Sequence, residues 1–278
     1  MTQALSKIAN LLKSREVSQV VIMAGAGIST PSGLPDFRSP GSGLYDNLEQ
    51  YNLPYPEAVF DINYFYQNPK PFFQVAKKLY PGLYPPNASH WFGTILERKK
   101  QLRRFYTQNI DGLEKLAGIS SDKLIEAHGS FSTATCQGCS IKYSSADLKG
   151  AIFKDEVPQC LKCKGIIKPD IVFFGEMLPN RFMSHLVDMP MADLLIVMGT
   201  SLEVHPFASL ANLTRNSAPR LLINKQAVGP FVFDPKKNDV ILEGDVVAGV
   251  TELIDMCGWT DLLHSLETAF VRSRKSGA

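Results

Sequence analysis

The sequence predicts an α/β fold built on a doubly wound parallel sheet, joined to a smaller module and a helical insertion. Three observations predict it. Short apolar runs alternate with longer stretches of helical spacing, the rhythm of strand–helix units. The runs are nearly unbroken, as in strands buried on both faces. Two Cys-x2-Cys pairs stand 20 residues apart in a stretch of little helical periodicity, which marks a separate small unit. The strand candidates, in order, are Val20–Met23, Arg104–Tyr106, Leu124–Ala127, Ile171–Phe174, Leu194–Met198 and Leu221–Ile223.

A chain of 278 residues allows two domains at roughly 150 residues each, or one large domain with an inserted module. At 45% hydrophobic residues a sizeable core is available. The 29 basic and 27 acidic residues leave a net charge of +2, which offers no global field for nucleic acid, so no nucleic-acid partner is expected. No apolar stretch approaches the ~20 residues of a membrane span, so no membrane partner is expected. Leu5, Ile8, Ala9 and Leu12 are apolar at helical spacing, so a folded helix rather than a secretory signal is expected here. The densest charge run, Glu97 to Arg104, reads as a solvated helix face, with a docking patch for acidic partners as the lesser reading.

Two stretches break the rhythm. Residues 48–100 are rich in aromatics and prolines and read as a mostly helical insertion. Residues 131–168 hold the paired cysteines. The expected division is therefore a Rossmann-like domain of 1–47, 101–130 and 169–278, and a small domain of 48–100 with 131–168.

Met23-Ala24-Gly25-Ala26-Gly27-Ile28-Ser29 follows the first strand directly. A glycine-rich strand-to-helix turn lets backbone N–H groups approach a pyrophosphate. It departs from the dehydrogenase fingerprint: Thr30 stands where a third glycine belongs, and no clear acid ends a second strand ~20 residues on. A nucleotide site of another type fits better, beside the plain reading of a tight structural turn. The long segment after it carries Asp36, Phe37 and Arg38. Loops of this kind are often functional; Phe37 suits covering a reactive sugar and Arg38 suits a phosphate, and a surface loop anchored by Phe37 is the alternative.

Polar residues then recur at strand ends, where open α/β sheets bind ligands. Thr107-Gln108-Asn109-Ile110-Asp111 places an amide and a carboxylate two residues apart, suited to a carboxamide and an ordered water, or to a turn that caps the next helix. His128 follows another strand; it is a candidate proton acceptor or a satisfied structural histidine. Gly199-Thr200-Ser201 and Asn224-Lys225 close two more. The remaining histidines, His90 among them, sit in no comparable constellation.

Cys136, Cys139, Cys160 and Cys163 give two knuckles, the spacing of a tetrahedral Zn²⁺ site. Four thiolates leave no open position, so the metal is structural. Cys257 reads as core packing.

Together these residues resemble the sirtuin family. The match runs over about residues 3–265 and consists of GAGISTPSGLPDFRSPGSGLY (25–45), TQNIDGLE (107–114), EAHG (126–129), the four cysteines and KPDIVFFGE (168–176), followed by GTSLEV (199–204), LLIN (221–224) and GDVV (244–247). Pro-Asp-Phe-Arg-Ser-Pro and Phe-Phe-Gly-Glu resemble the class I deacetylases, closest in look to the mitochondrial branch, although Tyr45–Glu49 resembles the cytosolic one.

The resemblance implies an NAD-dependent protein-lysine deacetylase that releases nicotinamide and O-acetyl-ADP-ribose, with NAD as co-substrate and one structural Zn²⁺. It places the pyrophosphate near Gly25, Ala26, Gly27 and Ser201, and the adenosine end near Asn224, Lys225 and Val246. Ile28, Asn109 and Asp111 would hold the carboxamide, with Gln108, Ile110, Gly199 and Thr200 around the cofactor. An acetylated peptide would bind as a strand between Gly175-Glu176 and Glu203-Val204, its acyl-lysine passing Val172, Phe174 and His128. His128 would act as general base, with Asn109 and Asp111 as its catalytic partners. The absence of arginine between Arg38 and Arg98 disfavours acidic acyl groups, which need a buried cation. A protein ADP-ribosyltransferase, or a deacylase of longer apolar groups, is the alternative on the same scaffold; a dehydrogenase and a non-catalytic zinc reader fit less well. The expected compartment is the mitochondrial matrix, with cytoplasm or nucleus as alternatives.

Overall fold

The computed structural model describes residues 2–35 and 53–276. Its strands are β1 (Val20–Ala24), β2 (Leu102–Thr107), β3 (Leu124–Glu126), β4 (Gly129–Cys136), β5 (Lys142–Ser144), β6 (Ile167–Ile171), β7 (Leu194–Met198), β8 (Arg220–Asn224) and β9 (Asp239–Glu243). Six of them form one parallel sheet in the order β3-β2-β1-β7-β8-β9. Counted within that sheet, the order is 3-2-1-4-5-6, that of the Rossmann fold, and the chain reverses its winding between β1 and β7. β4, β5 and β6 form a separate antiparallel sheet in the order β5-β4-β6.

The unbroken apolar runs have a direct cause. Successive side chains of a strand point to opposite faces, and both faces of the large sheet are covered. Val20, Ile22, Ala24, Leu194, Ile196 and Met198 pack on one side against helices Thr2–Ser14, Ala88–Arg98, Val246–Met256 and Thr260–Ser276. Val21, Met23, Leu195 and Val197 pack on the other against Phe182, Met189, Phe207, Leu210 and Phe231. A third core joins the aromatic segment to the cysteine segment: Phe60, Phe65, Phe72, Phe73 and Tyr80 pack with Phe131, Ile152, Cys136, Cys160 and Phe173.

Several expectations are corrected. Ile171–Phe174 is not a strand of the large sheet. β6 ends at Ile171 and pairs with β4, after which Phe174 peels away to exchange backbone hydrogen bonds with Phe60 and Ile62. Ile171 and Phe173 serve the aromatic core instead, while Phe174 is exposed. The segment 48–100 divides by its packing: helices Ile62–Gln67 and Lys70–Leu79 join the third core, whereas Trp91, Phe92, Ile95 and Leu96 of helix Ala88–Arg98 face the large sheet. The cysteine segment contains a helix, Ser145–Phe153, started by a Ser144/Asp147 capping box. β9, an edge strand flanked by acids, is not among the strand candidates, although Val240–Leu242 is as apolar as Leu221–Ile223.

The charge run 97–104 is likewise not one helix face. The helix ends at Arg98 and β2 begins at Leu102. Arg103 and Arg104 both bind Asp188, which is 2% exposed and also accepts the Tyr106 hydroxyl at 2.7 Å. A second buried pair staples β8 to β9. Arg220 is fully buried; it holds Asp239 with two hydrogen bonds, of 2.8 and 2.6 Å, and donates to Ala211, Asn212 and Asp234. Breaking such a pair from one side strands a buried charge. Asp239→Ala is expected to lower the unfolding free energy by about 3–5 kcal/mol, measured by urea denaturation; an unchanged midpoint would show that the remaining acceptors suffice.

Candidate active site

The site is built where the winding reverses. After β1 the chain makes two 3-10 turns, Ala26–Ile28 and Thr30–Ser32, rather than the α-helix expected from the sequence. Gly25 donates its N–H to Met198 and Gly27 donates to Gly199 at 2.8 Å. A Cβ on Gly27 would stand 2.7 Å from Gly199 Cα, and one on Gly25 would stand 2.8 Å from Thr200 Cβ. The glycines therefore let two strand-end turns press together backbone to backbone. Two amides of the turn are spent on that contact; Ala26 keeps an N–H with no protein acceptor among the described residues.

The end of β2 supplies the polar floor. Asn109, 5% exposed, donates its side-chain amide to Gly25 O at 3.1 Å and to Ser29 Oγ at 3.2 Å. Its own N–H is held by Thr107 Oγ1. Asp111 is also buried; its carboxylate accepts the Leu113 N–H at 2.9 Å, at the start of the short helix Leu113–Leu116. Burial raises its pKa, opposed by hydrogen bonds from Leu113 and Ser29. One turn further on, burial and the neighbouring Asp111 push the Glu114 carboxyl up to about 8.

His90, set aside at the sequence level, belongs to this floor. Its Nδ1 accepts the Asn87 N–H at 3.2 Å, so its Nε2 carries the proton that faces Ser29 Oγ at 3.3 Å. Asn87, the N-cap of the helix, also donates to Ile28 O. The signal in the sequence was a histidine three residues after an asparagine N-cap, the place of the acid in a capping box.

His128 stands at the start of β4. Its Nδ1 lies 3.0 Å from the carbonyl of Gln108, which can only accept, so Nδ1 carries the proton and Nε2 is the basic nitrogen. Burial lowers its pKa, against the Gln108 hydrogen bond, so the ring is neutral at pH 7. Gln108 Oε1 in turn accepts from Thr200 Oγ1 at 2.8 Å. One residue thus ties the histidine to the turn after β7.

The other candidates divide. Gly199, Thr200 and the exposed Ser201 lie at the end of β7, and Asn224 and the exposed Lys225 at the end of β8. Asn224 is buried, its amide on Gln226 O. Ile28, Ile110 and Val246 bury their side chains in the cores and so offer only backbone to a ligand. Asp36, Phe37 and Arg38 lie outside the described residues. Val172 donates its N–H to His128 O at 2.8 Å; Phe174 is 45% exposed beside Gly175 and Glu176. Glu203 is exposed and Val204 half-buried in the turn before Phe207.

The cofactor fit rests on this donor set: a glycine turn with an unspent amide, a buried amide–carboxylate pair and polar strand ends around one crevice suit a dinucleotide. The four cysteine sulfurs lie within 4.8 Å of one another, with Cys136–Cys163 at 3.3 Å and Cys139–Cys160 at 3.6 Å. Tetrahedral Zn–S bonds of ~2.3 Å set sulfurs ~3.8 Å apart, so the cluster is compatible with a structural zinc. The N–H groups of Gly138 and Gly165 and the Tyr143 hydroxyl point at these sulfurs, the donors that thiolates attract.

Two outcomes follow from these sites. Burial pushes His90 down to about 3 from its usual 6.5. Between those values the unfolded state binds more protons, so this contribution to stability is present above pH 6.5 and is lost as pH falls towards 3. Urea midpoints should fall across that window in the wild type, and less steeply in His90→Gln; parallel slopes would sink the assignment. Chelation, or Cys163→Ser, is expected to remove bound zinc and expose the third core, read by metal analysis and dye binding. A metal-free protein with an unchanged unfolding midpoint would exclude a structural metal.

The Sir2 family model matches residues 25–206. The chain is 57% identical to NAD-dependent protein deacetylase sirtuin-3 of Mus musculus over 95% of its length and 79% of that protein's. It is 46% identical to NAD-dependent protein deacetylase hst2 of Schizosaccharomyces pombe, covering 94% and 79%. To NAD-dependent protein deacetylase sirtuin-2 of Danio rerio it is 51% identical, covering 82% and 61%. With its family match spanning the glycine turn, the polar floor and the cysteine knuckles, the chain belongs to the Sir2 family, the sirtuins.

Proposed function

We propose that this chain is an NAD-dependent protein deacetylase that acts on acetyl-lysine in protein substrates. The observation that supports the reading is the hydrogen-bonded chain at the strand ends: Gln108 joins His128 to the turn after β7, and Asn109 is bonded to Gly25 in the turn after β1. NAD, when bound, supplies an ADP-ribosyl group that takes up the acetyl, with nicotinamide released. Gly25, Ala26, Gly27 and Ser201 would hold its pyrophosphate, Asn224 its adenosine end, and Asn109 and Asp111 its carboxamide.

The protein's own part is to bind, orient and move one proton. The Gln108 carbonyl fixes the His128 tautomer, so Nε2 is free to take a hydroxyl proton, and the lowered pKa keeps it unprotonated near neutrality. Asn109 is held by Gly25 and Ser29, and His90 keeps the hydroxyl of Ser29 in place. That network orders the floor before any ligand arrives, which is what positions reacting groups cheaply.

The peptide is read as a strand at Gly175-Glu176 and Glu203-Val204, its acyl-lysine entering between the lobe of the large sheet and the lobe of the aromatic and cysteine segments. Backbone pairing of this kind is tolerant of side-chain sequence. The reading favours apolar acyl groups. A mitochondrial matrix location rests on the motif resemblance; among the described residues no helix is long and apolar enough to cross a membrane.

The test is mass spectrometry of an acetylated peptide with and without NAD. Loss of 42 Da (roughly one acetyl) with matching nicotinamide release is expected, and His128→Ala should slow it by about 10²–10⁴. Mass added to a protein target instead would point to ADP-ribosyl transfer, and wild-type turnover in a zinc-replete His128→Ala would remove the histidine from its role.

A further inference from the structure

We propose that Lys168 is a positioning residue for the substrate peptide: through Glu176 it fixes the 172–176 segment against which the peptide strand pairs. The inference rests on the reading of Gly175-Glu176 as a peptide edge given above.

Lys168 is a cation in an unusual place. It lies on β6, its side chain 4% exposed, with its ammonium 4.1 Å from the centre of the Phe173 ring. Phe173 sits in turn among Phe60, Phe65 and Phe72, with ring centres 4.8–5.8 Å away. An apolar chain would pack there without the cost of desolvating a charge. Burial lowers the pKa of Lys168, with Glu176 and Asp170 opposing. What the ammonium does that an apolar chain cannot do is bridge two parts of one loop. It donates to Ile171 O at 2.6 Å and to Glu176 Oε2 at 2.8 Å. The same Glu176 oxygen accepts the Phe173 N–H at 2.8 Å.

The loop closed in this way is pinned at both ends to functional elements. Val172 donates to His128 O at 2.8 Å, immediately after the carbonyl that Lys168 holds. Phe174 donates to Phe60 O and accepts from Ile62 N. Gly175, with φ +93°, takes a left-handed conformation that suits glycine, and its N–H and C=O make no hydrogen bond among the described residues. The Glu176 N–H already donates to Phe173 O at 3.0 Å, so Gly175 is the residue whose backbone is open to an added strand. Glu176 is the handle by which Lys168 sets that edge relative to His128.

The test is steady-state kinetics with an acetylated peptide and NAD varied separately. Lys168→Met keeps length and loses the charge. It is expected to raise KM for the peptide about tenfold, with KM for NAD and kcat changed by no more than about twofold, the pattern of lost ground-state binding of one substrate. Glu176→Gln should do the same, and the double variant should be no worse than either alone, because both act through one contact. Glu176 is partly exposed, so its variant carries the test if Lys168→Met does not fold. A peptide KM at the wild-type value, or equal rises in both KM values, overturns the proposal. A wild-type protein that leaves the peptide acetylated in the presence of NAD overturns the underlying deacetylase reading instead.

Discussion

Gly27 and Gly199 belong to turns that follow different strands, yet the N–H of one is bonded to the carbonyl of the other and no side chain fits between them. That backbone contact closes the crevice where the parallel sheet reverses its winding. It extends the β1–β7 pairing into the turns beyond it, where Thr200 donates to Gln108. Gln108 in turn fixes the tautomer of His128. The turns after β1, β2 and β7 and the start of β4 are thus linked in one chain of hydrogen bonds, whose first contact needs two turns that lack Cβ atoms where they meet.

The electrostatics of that site follow from burial. Neutral His90 and a carboxyl with a raised pKa at Glu114 lie beneath Asp111, so the floor holds less charge than its residue types suggest. Both groups are buried; His90 is placed by hydrogen bonds to Asn87 and Ser29, whereas Glu114 Oε1 has no partner among the described residues. The floor is also acid-sensitive, since protonating buried His90 would cost it the Asn87 N–H that its Nδ1 accepts.

Much of this was legible in the sequence, for physical reasons. Strands buried on two faces read as solid apolar runs, and Val20–Met23, Leu194–Met198 and Leu221–Ile223 did so. Two cysteine knuckles are specific because metal geometry fixes ligand spacing. The failures share a cause as well. Ile171–Phe174 is as apolar as any strand, but Ile171 and Phe173 answer to an aromatic core formed by residues a hundred positions earlier. For His90 the sequence offers only the capping-box spacing from Asn87, which says nothing of burial; the packing of helix Ala88–Arg98 against the sheet gives it Ser29 as a partner. The role of Lys168 was hidden likewise, since lysine at a strand position suggests an exposed face.

The third core carries an asymmetry. Two of its walls are the sulfur-bearing residues Cys136 and Cys160, and another is the ring of Phe173, which borders the loop beside His128. Metal status and the acyl-peptide edge therefore share a mechanical foundation, whereas the glycine turns stand on the large sheet. Partial demetallation is accordingly expected to be felt first as poor engagement of the protein substrate, with the dinucleotide crevice the last part to soften.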